Sequence, residues 1–295
     1  MVSPARLSSE RSAEVCGRCH GQRKTDQLDA FLATGDPFVP GDDLARYSEP
    51  LWHDTTLAGE APFEARFWAD GTPRLTAYEY QGWLQSPCRA DERWTCESCH
   101  AMHEGDPAGQ LRPDLEGDRV CTQCHVVETP HAAHQTVDAQ CVDCHMPRIV
   151  YGLIGAHRSH RVEVPSETTS RPNACALCHV DDGPLRDVFA GDPIERAIAA
   201  DALGESAFGD DDQVRGVLLD VMEFDPYPAV RRIAFRALRK RATLGWEAFR
   251  PATPRAERQA QVEALRARVS HRPPNAAEVA SLRALASAQA IEIGE

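Results

Sequence analysis

Cys96-Glu-Ser-Cys99-His100, Cys121-Thr-Gln-Cys124-His125 and Cys141-Val-Asp-Cys144-His145 follow one another closely, and this run decides how the chain is read. Two further copies flank it, Cys16-Gly-Arg-Cys19-His20 upstream and Cys175-Ala-Leu-Cys178-His179 downstream. The spacing has a chemical reason. Two thiols three positions apart can reach the two vinyl groups on one haem edge and form thioethers. The next residue, a histidine, then falls beneath the iron as proximal ligand. Chance would supply on the order of 0.02 such motifs in a chain of this composition. Five copies therefore imply five haem c groups, attached through Cys16, Cys19, Cys96, Cys99, Cys121, Cys124, Cys141, Cys144, Cys175 and Cys178. His20, His100, His125, His145 and His179 are the expected proximal ligands.

The competing reading is structural zinc, because Cys121/Cys124 and Cys141/Cys144 are separated by 16 residues, a zinc-ribbon spacing. Zinc has no need of a histidine after every second cysteine. A disulfide framework would not repeat the CxxC unit.

The last four motifs lie within residues 96–179, about 21 residues per haem. So little chain cannot wrap each porphyrin separately, so neighbouring haems are expected nearly in contact, as serial electron transfer requires. The first motif stands apart, with 75 residues between His20 and Cys96. That stretch carries eleven of the nineteen aromatic residues, among them Trp52, Phe67, Trp68, Tyr78, Tyr80, Trp83 and Trp94. Aromatic side chains bury much area each, so this segment is expected to enclose the first haem and one flank of the others. An ordinary small aromatic core would look the same.

Seven histidines lie outside the motifs. Distal ligation by some of them would give saturated, low-spin irons suited to electron transfer. His103 is too close to His100 to serve the same iron easily but could cap a neighbour's. At least one of His131 and His134 is expected to ligate; His160 and His53 are further candidates, with His157 behind His160. His271 reads as a solvated residue. Cys88, the eleventh cysteine, is either a small buried side chain or a sixth iron ligand.

The net charge of −13 argues against nucleic acid as partner and favours basic protein surfaces as docking sites for redox partners. The longest uncharged apolar stretch, Ile149 to Ala156, is far too short for a transmembrane segment. Met1 to Val15 has no apolar core of a signal peptide. Haem attachment of this kind nevertheless implies a periplasmic or extracellular protein, its export signal no longer present in this chain.

After Asp182-Gly183-Pro184 the cysteines stop and helical patterning takes over. Asp192-Pro193 opens a run closing at Leu203-Gly204, and Asp225-Pro226 opens another. Arg196-Ala-Ile-Ala-Ala-Asp-Ala-Leu203 and Arg231-Arg-Ile-Ala-Phe-Arg-Ala-Leu238 agree at five of eight positions, 35 residues apart, the mark of stacked helical hairpins. Further helices are expected over Ala256 to Val269 and Ala276 to Ala288. The basic cluster Arg231, Arg232, Arg236, Arg239, Lys240 and Arg241 reads as a solvated helix face, or else faces propionates or an acidic partner. The expected fold is mainly α: a loop-rich multihaem cytochrome c domain over residues 1–186, then an all-α, HEAT-like helical-repeat domain over 187–295.

Several segments resemble a known group: Tyr78-Glu-Tyr-Gln-Gly-Trp-Leu-Gln-Ser-Pro-Cys88, the second motif with His103 following, Met146-Pro147 after the fourth, Arg158-Ser-His160, and Pro172-Asn-Ala-Cys175. Together they are similar to bacterial periplasmic multihaem cytochromes that end in HEAT or tetratricopeptide-type repeats. Those proteins are distantly similar to the pentahaem nitrite reductase and hydroxylamine oxidoreductase group. The resemblance runs from about Cys16 to Leu238 and implies distal ligation by His103, His134 and His160. The chain departs from the pattern at Ser86-Pro87-Cys88, where many such cytochromes carry Ser-Pro-His, which puts the coordination of one haem in question. Relatives also often carry another haem motif upstream of Cys16.

The leading expectation is an electron carrier rather than an enzyme. One alternative is an oxidoreductase with one open haem, acting on a small nitrogen or sulfur compound. Another is a conducting subunit of an oligomer, larger complex or cytochrome filament.

Overall fold

The structure, a computed structural model, describes residues 2–56, 66–75, 78–103, 105, 109–127, 139–152, 155–166, 171, 173–179, 184–205 and 210–286. The chain is mainly helical, 51% helix against 6% strand. It forms two compact units. The first comprises Met1–Pro73, Tyr78–Met146 and Arg158–Val164, and the second Arg74–Ala77, Pro147–His157 and Pro165–Glu295. Four of the five CxxCH motifs belong to the first unit; the fifth belongs to the second, with the long helices.

The first unit is assembled from short pieces. Helix α1 (Ser9–Gly17) starts at Ser8, whose hydroxyl accepts the Arg11 N–H at 3.4 Å, and ends inside the first motif. Strand β1 (Arg23–Lys24) pairs antiparallel with β2 (Glu49–Pro50). Helices α2 (Leu28–Thr34), α3 (Glu79–Gln85), α4 (Arg119–Thr122) and α5 (Cys141–His145) have at most seven residues each, too short to hold without tertiary support. Two small apolar clusters supply some of it. One joins Leu51, Phe67 and Tyr78 with Trp52; the other joins Ala13, Tyr80 and Trp83 with Leu84, Trp94 and Cys96.

The second unit holds a two-stranded ladder of β3 (Arg148–Tyr151) and β4 (Gly155–Arg158), although β4's last residue belongs to the first unit. Its helices are α6 (Ala174–Cys178), α7 (Pro184–Ala190), α8 (Pro193–Glu205), α9 (Asp211–Phe224), α10 (Pro228–Arg241), α11 (Arg255–Arg266) and α12 (Ala276–Leu285). Helix α10 shows why these are helices: Val230, Ile233, Ala234, Ala237 and Leu238 recur at helical spacing and are all buried. Helices α8 and α10 pack so closely that a Cβ on Gly204 would stand 2.7 Å from Ala237.

The sequence expectation placed a helix start at Asp225-Pro226, but α10 begins at Pro228. The reason is local: Asp225 is extended, and its carboxylate is held by the Tyr227 N–H and by Arg196. The basic cluster on α10 is only in part a solvated face. Arg231 is buried and donates to the carbonyls of Asp225, Pro226 and Pro251. Arg239 binds the Leu244 carbonyl and lies 3.6 Å from the centre of the Trp246 ring, and Arg241 reaches the Leu203 carbonyl and Asp211.

Candidate haem-binding site

Each motif folds into one helical turn. The histidine N–H donates to the first cysteine's carbonyl at 2.8 Å in the first motif, 2.9 Å in the second and third, and 2.8 Å in the fifth. In the fourth, α5 spans the motif itself. Such a turn brings residues i, i+3 and i+4 to one face, which puts both thiols and the histidine on a common side. Local caps hold these turns. The Thr95 N–H donates to Ser98 Oγ at 2.9 Å, Gln140 N–H to Asp143 Oδ2 at 2.9 Å, and Ala176 N–H to Asn173 Oδ1 at 2.8 Å. None of the eleven cysteines is in a disulfide.

The motif imidazoles are oriented from behind. His100 Nδ1 lies 2.8 Å from the Gly109 carbonyl and His145 Nδ1 lies 2.7 Å from the Glu163 carbonyl. A carbonyl only accepts, so Nδ1 carries the proton and Nε2 is left with the lone pair that a metal would take. His20 Nδ1 faces the Glu79 carboxylate at 3.8 Å, and this pairing raises the His20 pKa. The turn presenting Gly109 carries strain: Gln110 sits in the left-handed region at φ 55°.

These donors fit haem c better than a bare ion. Among the described residues no group of three or more His, Cys, Asp and Glu side chains is arranged to hold a metal ion. Buried donors also lack partners near the first motifs, including Trp83 Nε1 and Arg23 Nη1. A porphyrin with two carboxylates is the kind of group that such a wall would complete.

The motifs of the first unit are joined in chain order. The Cys16 and Cys96 thiols stand close enough to shift one another's titration, Cys16 downward and Cys96 upward, and Cys96 packs against the cluster that includes Ala13 of α1. Gln123 Nε2, inside the third motif, donates to the Ser98 carbonyl at 3.3 Å and lies 3.8 Å from Cys99 Sγ in the second. Asp118, just ahead of the third motif, accepts the Cys141 N–H at 2.7 Å, and the Cys121 and Cys141 thiols stand close enough to affect one another's titration. The contacts therefore run first to second, second to third, and third to fourth.

One strap, Arg158-Ser-His-Arg-Val-Glu163, ties this row together. Arg158 donates to the Val142 carbonyl at 3.1 Å and to Asp143 at 2.5 Å, while the Glu163 N–H donates to the His145 carbonyl at 3.2 Å. His160 then reaches the second motif, its ring centre 6.0 Å from that of His100 with the planes 27° apart. Two imidazoles on one metal, each with a bond of about 2 Å, have centres about 6 Å apart. His160 Nδ1 faces the Arg158 carbonyl at 3.2 Å, so its Nε2 is also the lone-pair nitrogen. Helix α3 braces the strap. A Cβ on Gly82 would stand 2.8 Å from Arg161 N and 2.9 Å from His160 C, so only glycine allows this approach. On its other side α3 touches the first motif, where the Tyr80 N–H donates to the His20 carbonyl at 3.0 Å and the Tyr80 ring covers Gly17.

The remaining candidates are less engaged. His103 and His53 are exposed. His131 and His134 lie outside the described residues. Cys88 is half-buried in a 3-10 turn, its N–H donating to Ser86 Oγ at 3.3 Å. His271, in the second unit, is half-buried, with Nδ1 2.9 Å from the Val269 carbonyl. Sequence reasoning missed Gly82, Gln123 and the Gly109 and Glu163 carbonyls. Of these only Gly82 left a signal, as a poor helix former inside an aromatic helix.

A family model for the doubled CXXCH motif matches residues 86–130, which takes in the second and third motifs. The match supports a multihaem c-type cytochrome, with haem covalently bound and electron transfer as its business. Comparison with curated proteins and with solved structures returned no match. Among the described residues no helix is long and apolar enough to cross a membrane.

Proposed function

We propose that this chain is a pentahaem electron carrier working as a wire outside the cytoplasm, in the periplasm or beyond. The observation that carries the reading is the contact order of the first four motifs, joined by Cys16–Cys96, Gln123–Cys99 and Cys121–Cys141. When bound, each haem supplies a one-electron Fe(III)/Fe(II) couple. The protein's share is positional. The ten motif cysteines fix the porphyrins side by side, and His20, His100, His125, His145 and His179 bind iron from one side. His160 caps the iron bound by His100. His103, His53, Cys88 and at least one of His131 and His134 are the remaining candidates for distal ligation. Saturated irons of this sort favour electron transfer over catalysis.

Haem attachment ends at His179, so the functional division falls near residue 186. The helices of residues 187–295 form a haem-free scaffold of repeat type. Three arginines support that part of the reading. Arg196, Arg231 and Arg258 each occupy the fourth position of their helix, and each donates Nη1 to the carbonyl five residues upstream, at 2.8, 3.0 and 3.0 Å. The charge of −13 favours donor and acceptor proteins with basic docking faces.

The test is a pyridine haemochrome assay with intact mass on the mature protein, followed by rapid-mixing reduction of a Cys96→Ala/Cys99→Ala variant. Five haems per chain, and slowed electron distribution among the remaining four, are expected. Two or fewer haems, bound zinc, or unchanged kinetics in the variant would overturn the reading.

A further inference from the structure

Arg23 follows the first motif by three residues and is held in an unusual state for a guanidinium. The β1–β2 ladder places it beside Ser48, where Nε donates to Ser48 Oγ at 2.9 Å and Nη2 to the Ser48 carbonyl. Its charged carbon lies 5.5 Å from the centre of the Tyr80 ring, the ring that covers Gly17 of the first motif. The remaining nitrogen, Nη1, is buried with no hydrogen-bond partner. Burial lowers the pKa of the group.

A buried cation ordinarily has an anion beside it, because desolvation is otherwise uncompensated. Among the described residues no carboxylate is in ion-pair contact with Arg23. The acids whose charge reaches it are committed elsewhere: Glu14 to Arg11 at 2.5 Å, and Asp36 to Arg18 at 2.5 Å. Tyr80, whose side chain also lies within hydrogen-bonding reach of Arg23, is a phenol pushed up by burial and supplies no countercharge. Two of the guanidinium's edges are fixed by Ser48, which aims the third and so pre-organises a fork for a single planar anion.

We propose that Arg23 binds a propionate carboxylate of the haem attached at Cys16 and Cys19. This rests on haem occupying the first motif. The carboxylate takes the open Nη1 position and returns the missing countercharge to a half-buried site. The bond works in both directions, tying the porphyrin to the β1–β2 ladder and neutralising an anion that would otherwise stabilise the ferric iron. Arg23 is thus a positioning and tuning residue for one haem.

The experiment is a spectroelectrochemical titration of the holoprotein and of Arg23→Gln and Arg23→Lys, with haem count by intact mass. In Arg23→Gln one midpoint of the set is expected to move to lower potential while the others stay. Arg23→Lys, which keeps the charge, should restore most of the shift. In a Cys16→Ala/Cys19→Ala background the Arg23→Gln change should move no midpoint. Unmoved midpoints in Arg23→Gln, a uniform displacement of every haem, or a shift persisting in the background without the first haem would each overturn the assignment. A wild-type mass lacking one haem, traced by peptide mapping to Cys16 and Cys19, would instead show that the underlying reading of the first motif had failed.

Discussion

The two units of this molecule are held together by different means. The second buries Ile194, Leu203, Leu218, Met222, Ile233, Leu238 and Leu265 almost completely, on helices of ten or more residues. Its deeply buried charge pair among the described residues, Arg196 with Asp225 at 2.8 Å, leaves only Arg196 Nη2 without a partner. The first unit has two small aromatic clusters, helices of four to nine residues and several buried polar atoms without partners. Helix α2 buries nothing, and Leu28, Phe31 and Leu32 stand exposed on it. Most of the second unit's core is made of its own side chains; the first unit holds four of the five CxxCH motifs and little apolar core besides.

The largest expected effect follows from that contrast. Protein produced without haem attachment should lose protease resistance across the first unit, while residues 184–286 keep their helical circular dichroism and their resistance. Equal protection of both regions would erase the distinction. The next effect belongs to the second unit. Leu218 is 0% exposed at the centre of α9, so Leu218→Ala should cost about 2–5 kcal/mol in denaturant unfolding. The haem absorption of the first unit should not change.

A smaller and more local effect is expected at Gly82. Replacement by alanine forces a Cβ against the His160 backbone and should convert one haem, the one bound by His100, towards high spin in electron paramagnetic resonance. His160→Ala should produce the same signal. Agreement between the two variants separates loss of the axial pair from general damage.

The smallest effect is one of pH. Asp210 caps α9 through the Gln213 N–H at 3.1 Å, and that bond holds its carboxyl below the usual carboxylate range. A depressed folded-state pKa stabilises the protein above the unfolded value and is lost as pH falls through the folded one. Asp210→Asn keeps the cap geometry and should flatten the acid limb of the second unit's stability curve.

How much could be read in advance differs between the units for the same physical reason. In the second, apolar spacing gave α8, α11 and α12 to within a few residues. Helix α9 has no proline to mark its start, and its cap at Asp210 is seen only in the bonds to the Asp212 and Gln213 N–H groups. In the first, the CxxCH spacing declares the attachment chemistry outright, since that chemistry is local. What the sequence does not carry is which motif stands beside which. Cys16 meets Cys96 across 79 intervening residues, and no local pattern encodes that. Nor does any encode the pairing of His160 with His100, which depends on a strap anchored through Arg158 and Glu163 at a different motif.

The row of four motifs is the centre of the account, and magnetic coupling between ferric haems tests it directly. Electron paramagnetic resonance of the fully oxidised holoprotein should be compared with that of Cys16→Ala/Cys19→Ala and Cys141→Ala/Cys144→Ala variants. The contact order predicts that removing the first haem alters the signal of the haem held by His100 and leaves that of the haem held by His145 unchanged. Removing the fourth should alter the haem held by His125 and spare the one held by His20. Signals that are additive in every variant, as for isolated haems, would contradict it.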